Sequence, residues 1–256
     1  MAPIASSTLL APSASMTSSS SSVRICIVNP NSSSIITDAL STTLLLSAPP
    51  STSLSFLTGP PSSPASIQTP AESIISAAET YKHLITTSPS QDLSLYPTDA
   101  FLVACFSDHP LAPMLRPSGK PTLHLLEAAI LHALLVGVKF GVLTTGKSVV
   151  PDVEAGVRRV MGGNSDRYIG THATGLGVVE LKEGDRGKIE RKIKVGVQEL
   201  VRMGADVIVL GCAGMAGMER LVREGAEEVG GMVKVVDGAK AGLQLLTGLV
   251  RAEDDS

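Results

Sequence analysis

Two cysteines lie where a reactive thiol could sit at the end of a buried strand. Cys105 follows the apolar run Ala100–Ala104, and Cys212 follows Val207–Leu210 and one glycine. Polar residues precede both runs, so each segment predicts a polar start, a strand and a thiol at its carboxyl end. A thiol is a base as the thiolate and an acid when protonated. Two thiols on opposite faces of a carbon acid would suit proton removal and return, which is cofactor-independent racemisation or epimerisation.

The surroundings of each cysteine bear on its ionisation. A thiol of ordinary pKa is only a few per cent thiolate at neutral pH, and a helix N-terminus lowers that pKa. We expect Cys212 to precede a helix through its small-residue turn, and we expect Ser107 or Asp108 to cap a helix after Cys105. A single cysteine at a strand end is more often a small core residue, as we predict for Cys26. The matched placement of the other two favours a functional role.

The elements that would position these thiols form an alternating pattern. Strands are predicted at 24–28, 53–57, 100–104, 122–126, 139–144, 207–210 and 233–236, and helices at 66–86, 127–136, 149–161, 187–203 and 216–229. Strands alternating with helices favour βαβ units and a mainly parallel sheet. Ligands of such sheets bind at the carboxyl ends of the strands.

Two other predicted strands also end in small polar residues. The first continues into Asn29-Pro30-Asn31-Ser32, and the strand near residue 140 continues into Thr144-Thr145-Gly146. Each half of the chain therefore has a polar strand end followed, 76 or 68 residues later, by a cysteine at another strand end. This order predicts two similar lobes that face each other across a cleft and contribute one thiol each.

Composition narrows the classes of protein. The chain has 256 residues and a formal net charge of −3, without a dense Lys/Arg run, so nucleic acid is not an expected partner. No apolar stretch suits a membrane span, and three cysteines do not suggest a disulfide framework. We expect a cytoplasmic protein with no membrane partner, and a disordered Ser/Ala-rich tail at residues 1–22.

The motifs around these strand ends resemble the Asp/Glu/hydantoin racemase superfamily, and most closely its hydantoin and allantoin racemase branch with fungal relatives. The resemblance rests on four segments of this sequence: Val28-Asn29-Pro30-Asn31-Ser32, Ala104-Cys105-Phe106-Ser107-Asp108, Val142-Leu143-Thr144-Thr145-Gly146 and Leu210-Gly211-Cys212-Ala213-Gly214-Met215. Segments 121–129, 174–176 and 236–239 also fit, so the likeness runs from about residue 23 to 249.

The resemblance implies an α/β fold of two pseudo-symmetric lobes, each a mainly parallel sheet flanked by helices, with the active site in the cleft. The lobes would comprise residues 23–122 with 237–256, and residues 123–236. It implies catalysis by Cys105 and Cys212 without pyridoxal phosphate or metal, a small-molecule substrate of the 5-substituted hydantoin type, and a homo-oligomer. Substrate contacts would come from these residues: Asn31, Ser32, Phe106, Ser107, Thr144, Thr145, Ala213 and Gly214.

The sequence also departs from the branch and leaves alternatives open. Ser32 stands where threonine is common, and His109 follows Asp108 where bacterial hydantoin racemases tend to have proline. His109 is therefore a candidate substrate contact or modulator of Cys105, or only a surface residue. His172 is a candidate cleft residue, and its default interpretation is a loop histidine. An Asp/Glu racemase, a maleate isomerase and a non-catalytic binding protein stay possible, whereas malonate decarboxylases lack one of the two cysteines.

Overall fold

A computed structural model of the chain describes residues 22–88 and 90–254. The predicted tail at 1–22 thus lies outside the described residues, apart from Ser22. The strands are β1 Val23–Asn29, β2 Thr52–Thr58, β3 Ala100–Val103, β4 Thr122–His124, β5 Phe140–Thr144, β6 Tyr168–Ala173, β7 Val207–Leu210 and β8 Lys234–Asp237. The helices are α1 Ser34–Leu45, α2 Pro70–Thr87, α3 Leu111–Leu115, α4 Leu125–Val136, α5 Val150–Met161, α6 Val178–Glu183, α7 Arg186–Arg202, α8 Glu219–Glu227 and α9 Gly238–Asp254.

The strands form two four-stranded parallel sheets that repeat one topology. The first sheet has the order β2-β1-β3-β4 and the second has the order β6-β5-β7-β8. The two sheets with their flanking helices confirm the predicted α/β class. Parallel strands need long crossovers, which explains why helices separate most of them. The division into lobes at residues 122 and 236 stays a prediction.

Local sequence signals explain where two of the helices begin. Thr69 accepts a hydrogen bond from the Glu72 N–H ahead of Pro70, so α2 starts at Pro70 and not at Ser66 as predicted. His124 and Glu127 form a reciprocal capping box, which ends β4 and starts α4 two residues earlier than predicted. Glu127 therefore lies in the first turn of α4.

The hydrophobic core divides between the two sheets. Helix α9 packs its buried leucines on β1 and β3, and α4 packs its apolar face on β7 and β8. The two helices also contact each other, which joins the two sheets through apolar side chains. This arrangement holds the carboxyl ends of both sheets in fixed relation. Among the described residues, no helix is long and apolar enough to cross a membrane.

Candidate active site

The two cysteines occupy equivalent positions in the two sheets. Each is the second residue after its strand, since β3 ends at Val103 and β7 ends at Leu210. The residue before each cysteine donates its backbone N–H across to the neighbouring strand, with both distances 2.8 Å: Ala104 to the carbonyl of Val28 and Gly211 to that of Leu143. The backbone therefore holds both thiols in the same way at the carboxyl ends of central strands.

Both thiols line one cavity of about 150 Å³. Most of the residues that the sequence singled out are in its wall: Asn31, Cys105, Phe106, Thr144, Thr145, Cys212 and Gly214. They come from the ends of β1, β3, β5 and β7, so both sheets contribute to the cavity. The structure thus brings together the strand ends that the sequence identified separately.

Three predicted site residues are placed differently. Ser32 is outside the cavity wall, and its N–H donates to the Pro64 carbonyl at 3.1 Å. Ser107 lines an adjoining cavity, and its Oγ lies 3.2 Å from the Cys105 sulfur. Ala213 begins a short 3-10 turn, and its side chain is outside what the structure describes.

The cavity also has walls that sequence reasoning missed. Residues 66–68 lie just before α2, and residues 148–149 lie just before α5. Gly177 precedes α6 and lines the cavity with the buried Leu176. The first of these segments was predicted as helix, so no signal marked it as cavity wall. The resemblance did include residues 174–176, which was the one available indication.

A buried amide network fixes the turn after β1. The Asn29 side-chain amide donates to Asn31 Oδ1 and to the carbonyl of Ser33, each at 3.0 Å, and the Ser33 N–H also donates to Asn31 Oδ1 at 3.0 Å. Gly59 approaches this turn so closely that a Cβ there would lie 2.6 Å from the Pro30 carbonyl oxygen. Because the Asn31 amide oxygen accepts two internal bonds, its amide NH₂ is the end that a substrate carbonyl can use.

The end of β5 is tied to the turn that carries Cys212. The buried Thr144 hydroxyl donates to the Gly211 carbonyl at 3.1 Å. A Cβ on Gly211 would lie 3.0 Å from the Leu143 carbonyl oxygen, so the two strand ends are too close for a larger residue at this position. Thr174 binds the Thr144 carbonyl through both its N–H and its hydroxyl. These bonds fix the direction in which Cys212 leaves its strand.

Burial dominates the ionisation of Cys105, contrary to the prediction. It raises the pKa of the Cys105 thiol to about 11, with a smaller upward effect from Cys212, while the hydrogen bond with Ser107 lowers it. The expected helix is absent directly after this thiol, because α3 starts only at Leu111 with Pro110 at its cap position. The N-terminus of α3 is therefore four or more residues beyond Ser107, and the prediction that a helix directly after Cys105 favours its thiolate is wrong.

Cys212 has a different local donor. The N–H of Gly214 points at the Cys212 sulfur at 3.4 Å, within the turn Ala213–Met215. A backbone N–H aimed at sulfur favours the anionic form. Helix α8 begins at Glu219, so this turn and not the predicted helix at 216 supplies the donor.

The histidines near the site have structural roles in this geometry. His109 is fully buried, its Nδ1 accepts the Leu111 N–H at 3.3 Å, and its Nε2 therefore carries the proton that faces Ser76 Oγ at 3.0 Å. Burial lowers the His109 pKa to about 3, with His124 contributing, so the ring is neutral. His109 lies in neither cavity wall, and it ties the loop after β3 to α2.

His172 lies in strand β6, which corrects the expectation of a loop. Its Nδ1 is 3.4 Å from a Glu199 carboxylate oxygen on α7, away from the residues that line the cavity. Within residues 22–88 and 90–254, no group of three or more His, Cys, Asp or Glu side chains is arranged to hold a metal ion.

Comparison with known proteins identifies the family. The sequence model described as Asp/Glu/Hydantoin racemase matches residues 25–246. An uncharacterized protein of Schizosaccharomyces pombe is 36% identical over 90% of this chain and 92% of its own length. A hydantoin racemase of Paenarthrobacter aurescens is 29% identical over 89% of this chain and 91% of its own.

The solved structures agree with the sequence relatives. The crystal structure of allantoin racemase from Pseudomonas fluorescens superimposes with a TM-score of 0.76 at 27% identity, covering 90% of this chain and 92% of that one. The family match covers most of the chain, and the alignments to the relatives above cover nearly the whole length of each relative. The chain therefore belongs to the Asp/Glu/hydantoin racemase family, in its hydantoin and allantoin racemase branch.

Proposed function

We propose that this protein racemises a 5-substituted hydantoin-type substrate, with Cys105 and Cys212 as the two bases. The observation that carries the proposal is the placement of both thiols at equivalent strand ends in the wall of one cavity. Family membership supports a racemase-type isomerase. The hydantoin ring is proposed because relatives in this branch are named for hydantoin and allantoin.

The chemistry would start with one thiolate and one thiol. The thiolate removes the proton from the ring carbon, forming an S–H bond while the C–H electron pair moves onto the adjacent carbonyl as an enolate. The opposite thiol then returns a proton to the other face and becomes the thiolate. One enzyme proton has changed sulfur and the substrate has inverted. Exchange with solvent restores the starting protonation state.

The local donors favour Cys212 as the resting thiolate. Its sulfur receives the Gly214 N–H, whereas burial keeps Cys105 protonated. The enolate would be stabilised by donors preorganised at the cavity wall. We assign the Asn31 amide NH₂ and Thr145 as hydrogen-bond donors to the ring carbonyls. The main role of Thr144 is its hydrogen bond to the Gly211 carbonyl.

A solvent-isotope experiment tests the two-base proposal. Each resolved enantiomer of a 5-substituted hydantoin is incubated in D₂O, and deuterium incorporation is followed by NMR while inversion is followed by polarimetry. The wild-type protein should incorporate deuterium and racemise both enantiomers. Cys105→Ser and Cys212→Ser should each lose racemisation. Each variant keeps a base on one face only, so any deuterium exchange that remains should occur with retention of configuration and with one enantiomer. The enantiomer that exchanges in Cys105→Ser should be the opposite of the one that exchanges in Cys212→Ser.

The third cysteine provides the control. Cys26 is buried in β1 and lies outside both cavity walls, so Cys26→Ser should racemise at the wild-type rate per folded molecule. Uncatalysed exchange is subtracted with the double variant Cys105→Ser/Cys212→Ser. Racemisation at the parent rate by either single variant would refute the two-base proposal. An absence of exchange with hydantoins, together with turnover of glutamate, aspartate or maleate, would assign the site to another reaction of the family.

A further inference from the structure

A second cavity of about 300 Å³ adjoins the one that contains both thiols. It lies between the segment before α2, the loop after β3 and the first turns of α5. The two cavities share wall residues: Ile67, Gln68, Cys105, Phe106 and Val149. We call this second space the outer cavity. Because Cys105 lines both spaces, a carbon atom at its sulfur can carry a ring in one and a substituent in the other.

The wall of the outer cavity is mostly apolar but carries an ion pair. Asp108 and Arg159 contact each other directly, with the Asp108 side chain 22% exposed and that of Arg159 73% exposed. His124 also contacts the Asp108 carboxylate. Its Nδ1 accepts the Glu127 N–H, so its Nε2–H faces Asp108 Oδ1 at 3.4 Å. A second carboxylate, Asp152, also lines the wall and leaves it with an excess of negative charge.

A glycine brings the arginine to this place. Helix α5 passes the loop after β3 at Gly156, where an added Cβ would lie 3.2 Å from the Asp108 Cβ. The close approach puts the next turn of the helix, with Arg159 three residues on, against the Asp108 carboxylate. Arg158 is the adjacent arginine on the same helix, is also exposed, and lines neither cavity.

We propose that the outer cavity binds the substituent on the reacting carbon, and that the Asp108–Arg159 pair selects substituents that end in a neutral amide or urea. This rests on the function proposed above. Because Asp108 Oδ2 is buried, an amide N–H would donate to Asp108 Oδ1 while its carbonyl accepts from the guanidinium, so one group bonds to both partners. An alkyl substituent would remove water from the ion pair without replacing its hydrogen bonds. A carboxylate substituent would face both Asp108 and Asp152.

Three hydantoins of similar size separate these cases. Their substituents are isobutyl, carbamoylmethyl and carboxymethyl, which correspond to the side chains of leucine, asparagine and aspartate. We expect kcat/KM for the carbamoylmethyl compound to exceed that of each of the others by roughly tenfold or more, as hydrogen bonds to charged groups allow. Arg159→Met should remove most of this preference by lowering kcat/KM for the carbamoylmethyl compound while sparing the isobutyl compound.

Two matched variants complete the design. Arg158→Met changes the same charge on the same helix and should keep the wild-type preference. Asp152→Asn should raise kcat/KM for the carboxymethyl compound relative to the other two, because it removes a carboxylate from the wall. The inference is overturned if the isobutyl compound is processed as well as the carbamoylmethyl compound, or if Arg159→Met lowers all three equally.

Unsubstituted hydantoin distinguishes failure of this inference from failure of the proposed function. It has no group for the outer cavity, and its ring-carbon protons still exchange with D₂O if two-thiol chemistry operates. Exchange of this compound without any preference among the three substituted ones would reject the outer-cavity inference alone. A lack of exchange with all four compounds would reject both.

Discussion

Among the residues that the structure describes, the hydroxyl of Ser107 favours the thiolate of Cys105 against the effect of burial. Its Oγ lies 3.2 Å from the sulfur. Hydrogen bonds to charged groups contribute about 1.5–3 kcal/mol, and one pKa unit corresponds to about 1.4 kcal/mol. Ser107→Ala should therefore raise the Cys105 pKa further above its already high value of about 11.

Alkylation by iodoacetamide, quantified for each cysteine peptide by mass spectrometry, measures this shift. With a pKa of about 11, about 1% of Cys105 is thiolate at pH 9, so its rate should still rise tenfold per pH unit there. Ser107→Ala should slow Cys105 alkylation about 10- to 100-fold between pH 8 and 9.5. Between pH 8 and 9.5 both proteins lie well below the pKa of this thiol, so a slope of tenfold per pH unit in each would show that the minor thiolate is the reactive species.

Ser148→Ala is the matched control for this measurement. Ser148 also lines the cavity, and among the described residues its hydroxyl makes no hydrogen bond to Cys105. Its removal should leave the Cys105 profile unchanged. A wild-type profile that levels off below pH 9, or faster alkylation in Ser107→Ala, would show that burial does not control this thiol.

Four further predictions concern stability, KM and pH. Burial holds the His109 pKa near 3, below its value of about 6.5 in the unfolded chain. As the pH falls below 6.5, the unfolded state therefore binds a proton that the folded state does not. This difference should lower the free energy of unfolding by about 2 kcal/mol at pH 5. Urea unfolding at pH 7 and 5 should show a smaller loss for His109→Gln than for the wild type. Gly59→Ala should lower stability by about 1–3 kcal/mol and raise KM, since its Cβ meets the backbone of the Asn31 turn. Gly248→Ala in α9 should stabilise instead, because among the described residues an added Cβ there meets no atom within 4 Å beyond its own helix backbone and chain neighbours. If Cys105 must be a thiol in the resting protein, kcat/KM should not decline between pH 8 and 10, because its pKa of about 11 keeps it protonated; a pH–rate profile with a steep loss in this interval would contradict that assignment.

The strand ends could be predicted because a central parallel strand is buried on both faces. Such strands are short apolar runs, and the first polar or small residue after the run marks the end where ligands bind. Strand β6 escaped prediction for the opposite reason. It lies at the edge of its sheet, all six residues are only half-buried, and its sequence includes Gly170 at φ +130° with Thr171 and His172 beside it. An edge strand of this composition resembles a loop in sequence.

The ionisation of Cys105 could not be predicted, because it depends on contacts distant in sequence. The motif after the thiol suggested a cap and a helix, but the chain continues as a loop through Pro110 before α3 begins. The segment before α2 and the region before α5 close over the thiol from two different parts of the chain. Cys105 is only partly exposed as a result, and the effect of this burial on its pKa outweighs that of the Ser107 hydrogen bond.

The repeat between the two halves is clearer in backbone hydrogen bonds than in side chains. The Gly59 N–H binds the carbonyl of Asn29 at 2.8 Å, and the Thr174 N–H binds that of Thr144 at 2.9 Å, so both sheets close their first strand alike. Backbone bonds need no particular side chain, which explains why the sequence similarity between the halves is weak.

That freedom lets the two halves surround their thiols with different donors. Cys105 has the Ser107 hydroxyl, whereas Cys212 has the Gly214 N–H. If both thiols are the catalytic bases, one protonation state of the resting protein dominates, and each enantiomer meets a different partner first. Because enantiomers have equal free energy, kcat/KM must be the same in both directions. The asymmetry of the two halves should therefore appear as unequal kcat and unequal KM for the two enantiomers, in the same ratio.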